Sequence, residues 1–371
     1  MRPFFRAGAG RHAATLPRTA AVPGHDAVQH VLDRAVTEGG LPGVLAEIRD
    51  GNACWSGTAG VADTATGEPR GHADRFRIGS ITKTFVAVVV LQLAAEHRLS
   101  LDDTVETWLP GLVTGGGHDG WRVTVRRLLD HTSGIYSYTN DPAALSEHES
   151  YTPRMLVEAA MAHPASFAPG TDWEYSNTNY VLAGMIAEKA SGRALADEID
   201  ARIAGPLGLS GTYLPRGDDE TIDGPHARHY TTLHDPSPGA RVHDITEMNT
   251  TPYWAAGAMV STVGDLNRFF AALLSGELGR AEMFTTTPTK NWIADTAYGL
   301  GVTSLRLGDG TRLWGMGGAI FGSWTYSYGT RDGRRVLTVN SNGDWARGEW
   351  SDPIGAFTEV LEAGFGGGAG G

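Results

Sequence analysis

The spacing of apolar residues changes character along the chain. From Asp26 to Glu38, Val28, Val31, Leu32 and Ala35 recur at helical intervals and predict an amphipathic helix. Two short runs follow, "GVLAEIRD" and "ACWSGTAGVAD", joined by Gly51-Asn52, a turn pair that predicts a hairpin. "GSITKTFVAVVVLQLAAEHRL" is apolar nearly throughout, and its length suits a buried helix better than a strand despite the valines. From Leu101 to about Val242, helical pieces alternate with polar loops; examples are "TVRRLLDH", "PRMLVEAAMAH" and "NYVLAGMIAEKASG". After another helix, "DLNRFFAALLSGEL", the period falls to two. "YGLGVTSLRL", "TRLWGMGGAI", "GSWTYSYGT" and "RRVLTVNSN" read as consecutive antiparallel strands, with Trp324, Tyr326 and Tyr328 on one face. A final helix is expected from Pro353 to about Ala363.

This order predicts an α/β protein of the α+β type. Residues 25–79 and 248–365 are expected to form one antiparallel sheet flanked by the terminal helices. Residues 80–247 form a helical domain, and the site is expected in the cleft between the two. The stretches 1–24 and 366–371 read as a disordered tail and a flexible Gly-rich tail.

Composition narrows the function. The net charge is −12 with no long basic run, which argues against nucleic acid as a partner. The longest strongly apolar run, "FVAVVVL", is far short of the ~20 residues that span a bilayer, so no membrane role is expected. The one cysteine, Cys54, excludes an internal disulfide and reads as a buried packing residue. The first residues carry four arginines but no apolar secretory core, and the expectation is a cytoplasmic protein unless a leader is missing.

The basic residues are almost all arginine. Only Lys83, Lys189 and Lys290 are lysines. A lysine kept in such a chain fits a need to lose a proton, which arginine cannot do. Lys83 stands three residues after Ser80 in "GSITK", at the start of the apolar helix, so the two side chains face the same way. Burial and the helix N-terminus both disfavour the ammonium. A neutral amine there can take the serine proton and make Ser80 a nucleophile. "WEYSNTNY" offers Tyr175 as a proton shuttle and Asn177 as a ligand for an amide carbonyl. "YTN" at Tyr138–Asn140 has the same spacing, and spacing does not choose between them. "LWGMGGAIFG" is a strand with two adjacent glycines, Gly317 and Gly318, where a substrate backbone could lie and amides could serve an oxyanion. His226, His229, His234 and His243 crowd a Pro/Gly-rich stretch and read as solvated loop residues rather than a metal site. "HTSG" carries no assigned chemistry, and no G-x-S-x-G elbow is present.

"FRIGSITKTFVAVVVLQL", "VTVRRLLDHTSGIYSYTND" and "WEYSNTNYVLAGMIAEKASG" together resemble the serine D-alanyl-D-alanine carboxypeptidase and class C β-lactamase superfamily, from about Val28 to Leu361. The resemblance implies a β-lactamase-like fold without a cofactor. It implies Ser80 as the acylated nucleophile, Lys83 as its proton partner and Tyr175 as relay, with Asn177 a substrate ligand. The backbone amides of Ser80 and Ala319 would form the oxyanion hole, and Trp254 would be an aromatic cleft wall. The chain departs from the pattern at the third motif, His-Thr-Gly or Lys-Thr-Gly in relatives, which here reads Met316-Gly317-Gly318. On the neighbouring strand Thr303 and Ser304 stand where an arginine is expected, with Arg306 a little farther on. A carboxylate buried without charge or donors is costly, so these losses point away from carboxylate-bearing substrates. The expected activity is acyl transfer from a small-molecule donor through Ser80, to an amine or to water. The alternatives are a carboxypeptidase or β-lactamase with a modified third motif, and a catalytically silent binding protein.

Overall fold

Helix, hairpin, helical segment, meander and helix follow one another in the expected order. The structure is a computed structural model that describes residues 25–141, 145, 149–233, 235, 237, 239–350 and 352–366. The tails expected at 1–24 and beyond Gly366 lie outside those residues, as does His234.

Among the described residues the six longer helices are α1 (His25–Thr37), α2 (Thr82–Ala95), α3 (Pro153–Met161), α4 (Asn177–Ser191), α5 (Val263–Ser275) and α6 (Pro353–Phe365). Nine strands form one sheet: β1 (Gly43–Asp50), β2 (Ala53–Asp63), β3 (Glu68–Pro69), β4 (Thr287–Pro288), β5 (Thr296–Tyr298), β6 (Thr303–Arg306), β7 (Arg312–Ile320), β8 (Ser323–Gly329) and β9 (Arg335–Ser341). Their order is β4-β5-β6-β7-β8-β9-β1-β2-β3, every pairing antiparallel. The last strand therefore pairs with the first, Val44 opposite Ser341 and Asp50 opposite Arg335.

Both faces of this sheet are covered. On one face Val44, Ala46, Ile48, Tyr326, Tyr328, Leu337 and Val339 pack with Val28, Val31 and Leu32 of α1 and Phe357, Val360 and Leu361 of α6. Leu45, Trp314, Met316 and Val336 belong to the opposite, larger cluster with α2, α4 and α5.

Helix α2 is the centre of that cluster. Phe85 through Val90 are without exposure, and Phe85 stacks on Phe269 of α5 at 3.8 Å between ring centroids. Each valine costs a helix roughly 0.5 kcal/mol relative to alanine. Full burial of its side chain contributes about 1.5–3 kcal/mol, so burial decides. Glycines in the left-handed region end α4 at Gly192 (φ +69°) and α5 at Gly276 (φ +94°).

Two expectations are corrected. "YGLGVTSLRL" is a hairpin rather than one strand, because Gly299–Val302 turns back on itself, with Gly301 at φ +74°. Gly301 also lies where a β-carbon would strike Ala87 of α2, and its carbonyl accepts the Thr84 hydroxyl at 2.7 Å. Cys54 is exposed on β2, not packed inside.

Candidate active site

Ser80 lies in the single turn Gly79–Ile81 that leads into α2. Gly79 (φ +50°) approaches β7 so closely that a β-carbon there would stand 2.7 Å from the amide nitrogen of Ala319. One turn on, Lys83 is wholly buried. Its Nζ lies 3.0 Å from Ser80 Oγ and 2.7 Å from both Asn177 Oδ1 and the Ala256 carbonyl. Asn177 opens α4 and Ala256 sits in the short helix Trp254–Gly257, so three segments converge on one amine.

No carboxylate pairs with Lys83 among the described residues, and burial holds it well below the ordinary lysine range. A neutral amine has two N–H donors and one lone pair. The donors match Asn177 Oδ1 and the Ala256 carbonyl, leaving the lone pair for the Ser80 hydroxyl. Tyr175 donates its phenol to Ser80 Oγ at 2.7 Å. Its pKa is raised by burial against the opposing hydrogen bond with Ser80, so the phenol keeps its proton.

The spacing ambiguity is thereby resolved. Tyr138 is buried elsewhere and donates to the Pro252 carbonyl at 2.5 Å, while Tyr175 reaches the serine. The "YTN" turn still contributes: Thr139 Oγ1 accepts from Asn177 Nδ2 at 2.9 Å, and Ser137 Oγ accepts from the Asn177 backbone at 3.0 Å.

The third motif is different from the expectation. Met316 has no exposure and lies in the larger apolar cluster, so its side chain packs rather than faces a ligand. A β-carbon on Gly317 would stand 2.6 Å from the Tyr326 ring, on the side away from Ser80. A β-carbon on Gly318 would run into the Ile78 carbonyl. Both glycines were expected to make room for substrate; the chain's own packing already requires them. Thr303 is spent on the Gly315 carbonyl and the Tyr328 hydroxyl. Ser304 is buried opposite Trp314. Arg306 is exposed and paired in register with Arg312, four residues along β7 from Met316, so it does not stand in for the missing cation.

Trp254 was expected as an aromatic cleft wall. Its ring packs on Gly184 of α4 and lines a separate cavity of ≈ 370 Å³ with Tyr151, Glu188 and Leu214. An aromatic neighbour of Tyr175 is Trp292, which stacks on it at 5.4 Å with planes 16° apart. It sits in a loop with left-handed Asn291 (φ +49°) and Asp295 (φ +57°), tethered by Lys290 to Asp172 at 2.5 Å. No periodicity marks that loop in sequence. His226 is bonded to the Gly224 carbonyl and His229 is buried. Among the described residues no group of histidine, cysteine and acidic side chains could hold a metal.

Comparison with known proteins adds to this geometry. A family model described as Beta-lactamase matches residues 28–351. The D-stereospecific amidohydrolase from Streptomyces sp. is 44% identical, with TM-score 0.83 over 93% of this chain and 99% of that one. The D-amino acid amidase from Ochrobactrum anthropi SV3, in complex with D-phenylalanine, is 28% identical with TM-score 0.82 over 92% of this chain and 99% of that one. Esterase EstB of Burkholderia gladioli is 35% identical over 194 residues, 48% of each chain. Several curated relatives are longer, and this chain spans about half their length or less.

Proposed function

The chain belongs to the beta-lactamase family and is a serine hydrolase of that family; from that premise we propose that it cleaves amides or esters lacking a free carboxylate beside the scissile bond, through an acyl-enzyme on Ser80. The acyl group we assign to it is that of a D-amino acid, and the substrate is its amide or ester. The observation that carries the reading is the absence of any described side-chain cation at the third motif. Met316 is buried, Thr303 is bonded to the Gly315 carbonyl, Ser304 is buried, and Arg306 lies opposite Arg312. Similarity to the amidohydrolase and the amidase supports the D-configured acyl group.

The chemistry follows from the contacts. Lys83 takes the Ser80 proton as Oγ attacks the carbonyl carbon. The oxyanion forms toward the amides of Ser80 and Ala319. The Tyr175 hydroxyl, already on Ser80 Oγ, relays the proton to the leaving nitrogen or oxygen as the bond to carbon breaks. Asn177 spans Lys83 and Thr139, and in this reading its amide also orients the substrate. Water then attacks the ester carbon and regenerates Ser80. An amine can intercept the same intermediate, giving transfer in place of hydrolysis.

The test is incubation with D- and L-phenylalanine amide and with a D-alanyl-D-alanine peptide, following released ammonia or D-alanine. Hydrolysis of the D-amide with little D-alanine release supports the reading; preference for the dipeptide carboxylate overturns it. Intact mass with an activated ester places the acyl group, which must vanish in Ser80→Ala. No adduct with any activated ester would favour the silent binding protein. Adding an amine and measuring amide against acid sets the balance of transfer and hydrolysis.

A further inference from the structure

The "HTSG" stretch acquires a place beside Tyr175. His131 is fully buried and holds a left-handed backbone, φ +62°. That conformation costs a non-glycine residue of order 1 kcal/mol, and such strain persists only where surrounding structure enforces it. Two bonds show what enforces it here. The His131 carbonyl accepts the Glu174 backbone N–H at 3.2 Å. The His131 Nδ1 accepts the Ser176 backbone N–H at 3.2 Å. These are the two residues on either side of Tyr175. The imidazole also lies against the Tyr175 ring, 4.5 Å between centroids.

The tautomer is fixed by its neighbours. Ser133 Oγ donates to Asn179 Oδ1 at 2.6 Å, which turns Asn179 Nδ2 toward His131 Nδ1 at 3.1 Å. Two donors meet at Nδ1, so it carries no proton. Nε2 has no hydrogen-bond partner, and the ring edge meets Tyr298 at 4.6 Å and 67°. Burial holds the imidazole well below its ordinary range. A protonated ring would lose the acceptor that holds Ser176.

We propose that His131 is a positioning residue that clamps the backbone on both sides of Tyr175 and so fixes the phenol on Ser80 Oγ. It does not itself touch the reacting atoms. The proposal rests on the reading of Ser80 and Tyr175 given above.

Two substitutions separate its parts, in the full-length enzyme with p-nitrophenyl acetate as acyl donor. His131→Phe keeps a ring but removes the acceptor. His131→Asn places an amide oxygen near the Nδ1 position and tolerates the left-handed backbone. His131→Phe is expected to lower the acylation rate about 100-fold, the scale of a misplacement of roughly 1 Å, with KM changed less than about threefold. His131→Asn is expected to restore most of that loss.

In a Tyr175→Phe background, His131→Phe should add less than about threefold, because a residue acting through Tyr175 has nothing left to position. Additive losses in the double variant overturn the clamp, as does a folded His131→Phe enzyme at the wild-type rate. Should His131→Phe not fold, the Asn variant decides: near wild-type acylation supports the clamp, and a folded protein slowed about 100-fold overturns it. If Ser80→Ala still gains the acyl group, the catalytic reading itself has failed. Loss of that adduct with unaffected His131 variants means that only the clamp has failed.

Discussion

The carbonyl oxygen of Ile78 occupies the place a β-carbon on Gly318 would need. The strand carrying Ala319 is thus pressed against the turn carrying Ser80, with Gly79 yielding from the other side. Gly318→Ala must push the two apart. We expect acylation of Ser80 to fall by about 100-fold or more, since a shift of roughly 1 Å in a catalytic geometry costs that much. Burst kinetics with an activated ester measure it, and an unchanged burst would show that the turn gives way without harm.

Met316→His tests the third motif. The sequence alone points to a gain of carboxylate recognition from an imidazole there. Burial of Met316 predicts another outcome. The variant should lose about 1–3 kcal/mol of stability, the cost of burying an unpaired polar group, and still reject carboxylate-bearing substrates. Thermal melts and the ratio of D-amide to dipeptide turnover report on both.

Lys83, the base of the proposed mechanism, also bears on the pH dependence of folding. Its folded pKa is depressed by burial, so below the ordinary lysine pKa the unfolded chain binds a proton that the native state does not. Stability from this group therefore falls as pH drops below about 10.4 and continues to fall until the depressed folded value is passed. Lys83→Met should abolish that part of the slope, seen by denaturant melts between pH 7 and 10. Acylation should fall about 10²–10⁴-fold with loss of the base. Parallel stability curves for the two proteins would contradict a neutral lysine.

In the proposed mechanism Tyr175→Phe removes the relay and leaves the base, Lys83, in place. Burial raises the phenol pKa, so ionisation of Tyr175 plays no part near neutral pH. Acylation should drop about 10²–10⁴-fold while the acidic limb of the rate profile, set by Lys83, stays in place. A shift of that limb would assign it to the tyrosine.

Trp292 covers the Tyr175 ring. Trp292→Ala should raise KM for D-phenylalanine amide more than for D-alanine amide. Loss of one stacked ring is worth about 0.5–1.5 kcal/mol, or roughly 2- to 12-fold. Equal changes for both substrates would make Trp292 mere cover.

The fold was legible because periodicity reports burial. The continuous apolar run of α2 and the alternation in β8 each have a direct physical cause in one or two packed faces. Ser80 and Lys83 were legible because helical spacing fixes their meeting and lysine is scarce in this chain. Tyr175 was not separable from Tyr138 by spacing, since which phenol reaches the serine depends on how two distant loops pack. Met316, Gly317 and Trp254 were misread for a related reason. The direction of a strand side chain depends on which face each neighbour covers, and Trp254 turns onto α4 at a left-handed residue, φ +27°. Trp292 and His131 carry no periodic or spacing signal; only contacts with Tyr175 reveal them.

The pairing of β9 with β1 has a consequence for synthesis. Ser80 leaves the ribosome well before Ala319 on β7 and before β9, the strand that pairs with β1. A nascent chain that has not yet made β7 and β9 therefore holds Ser80 without the Ala319 amide that the proposed mechanism uses and without a finished sheet. In the proposed mechanism acyl chemistry waits for β7 and β9, so a chain cut before those strands should lack it.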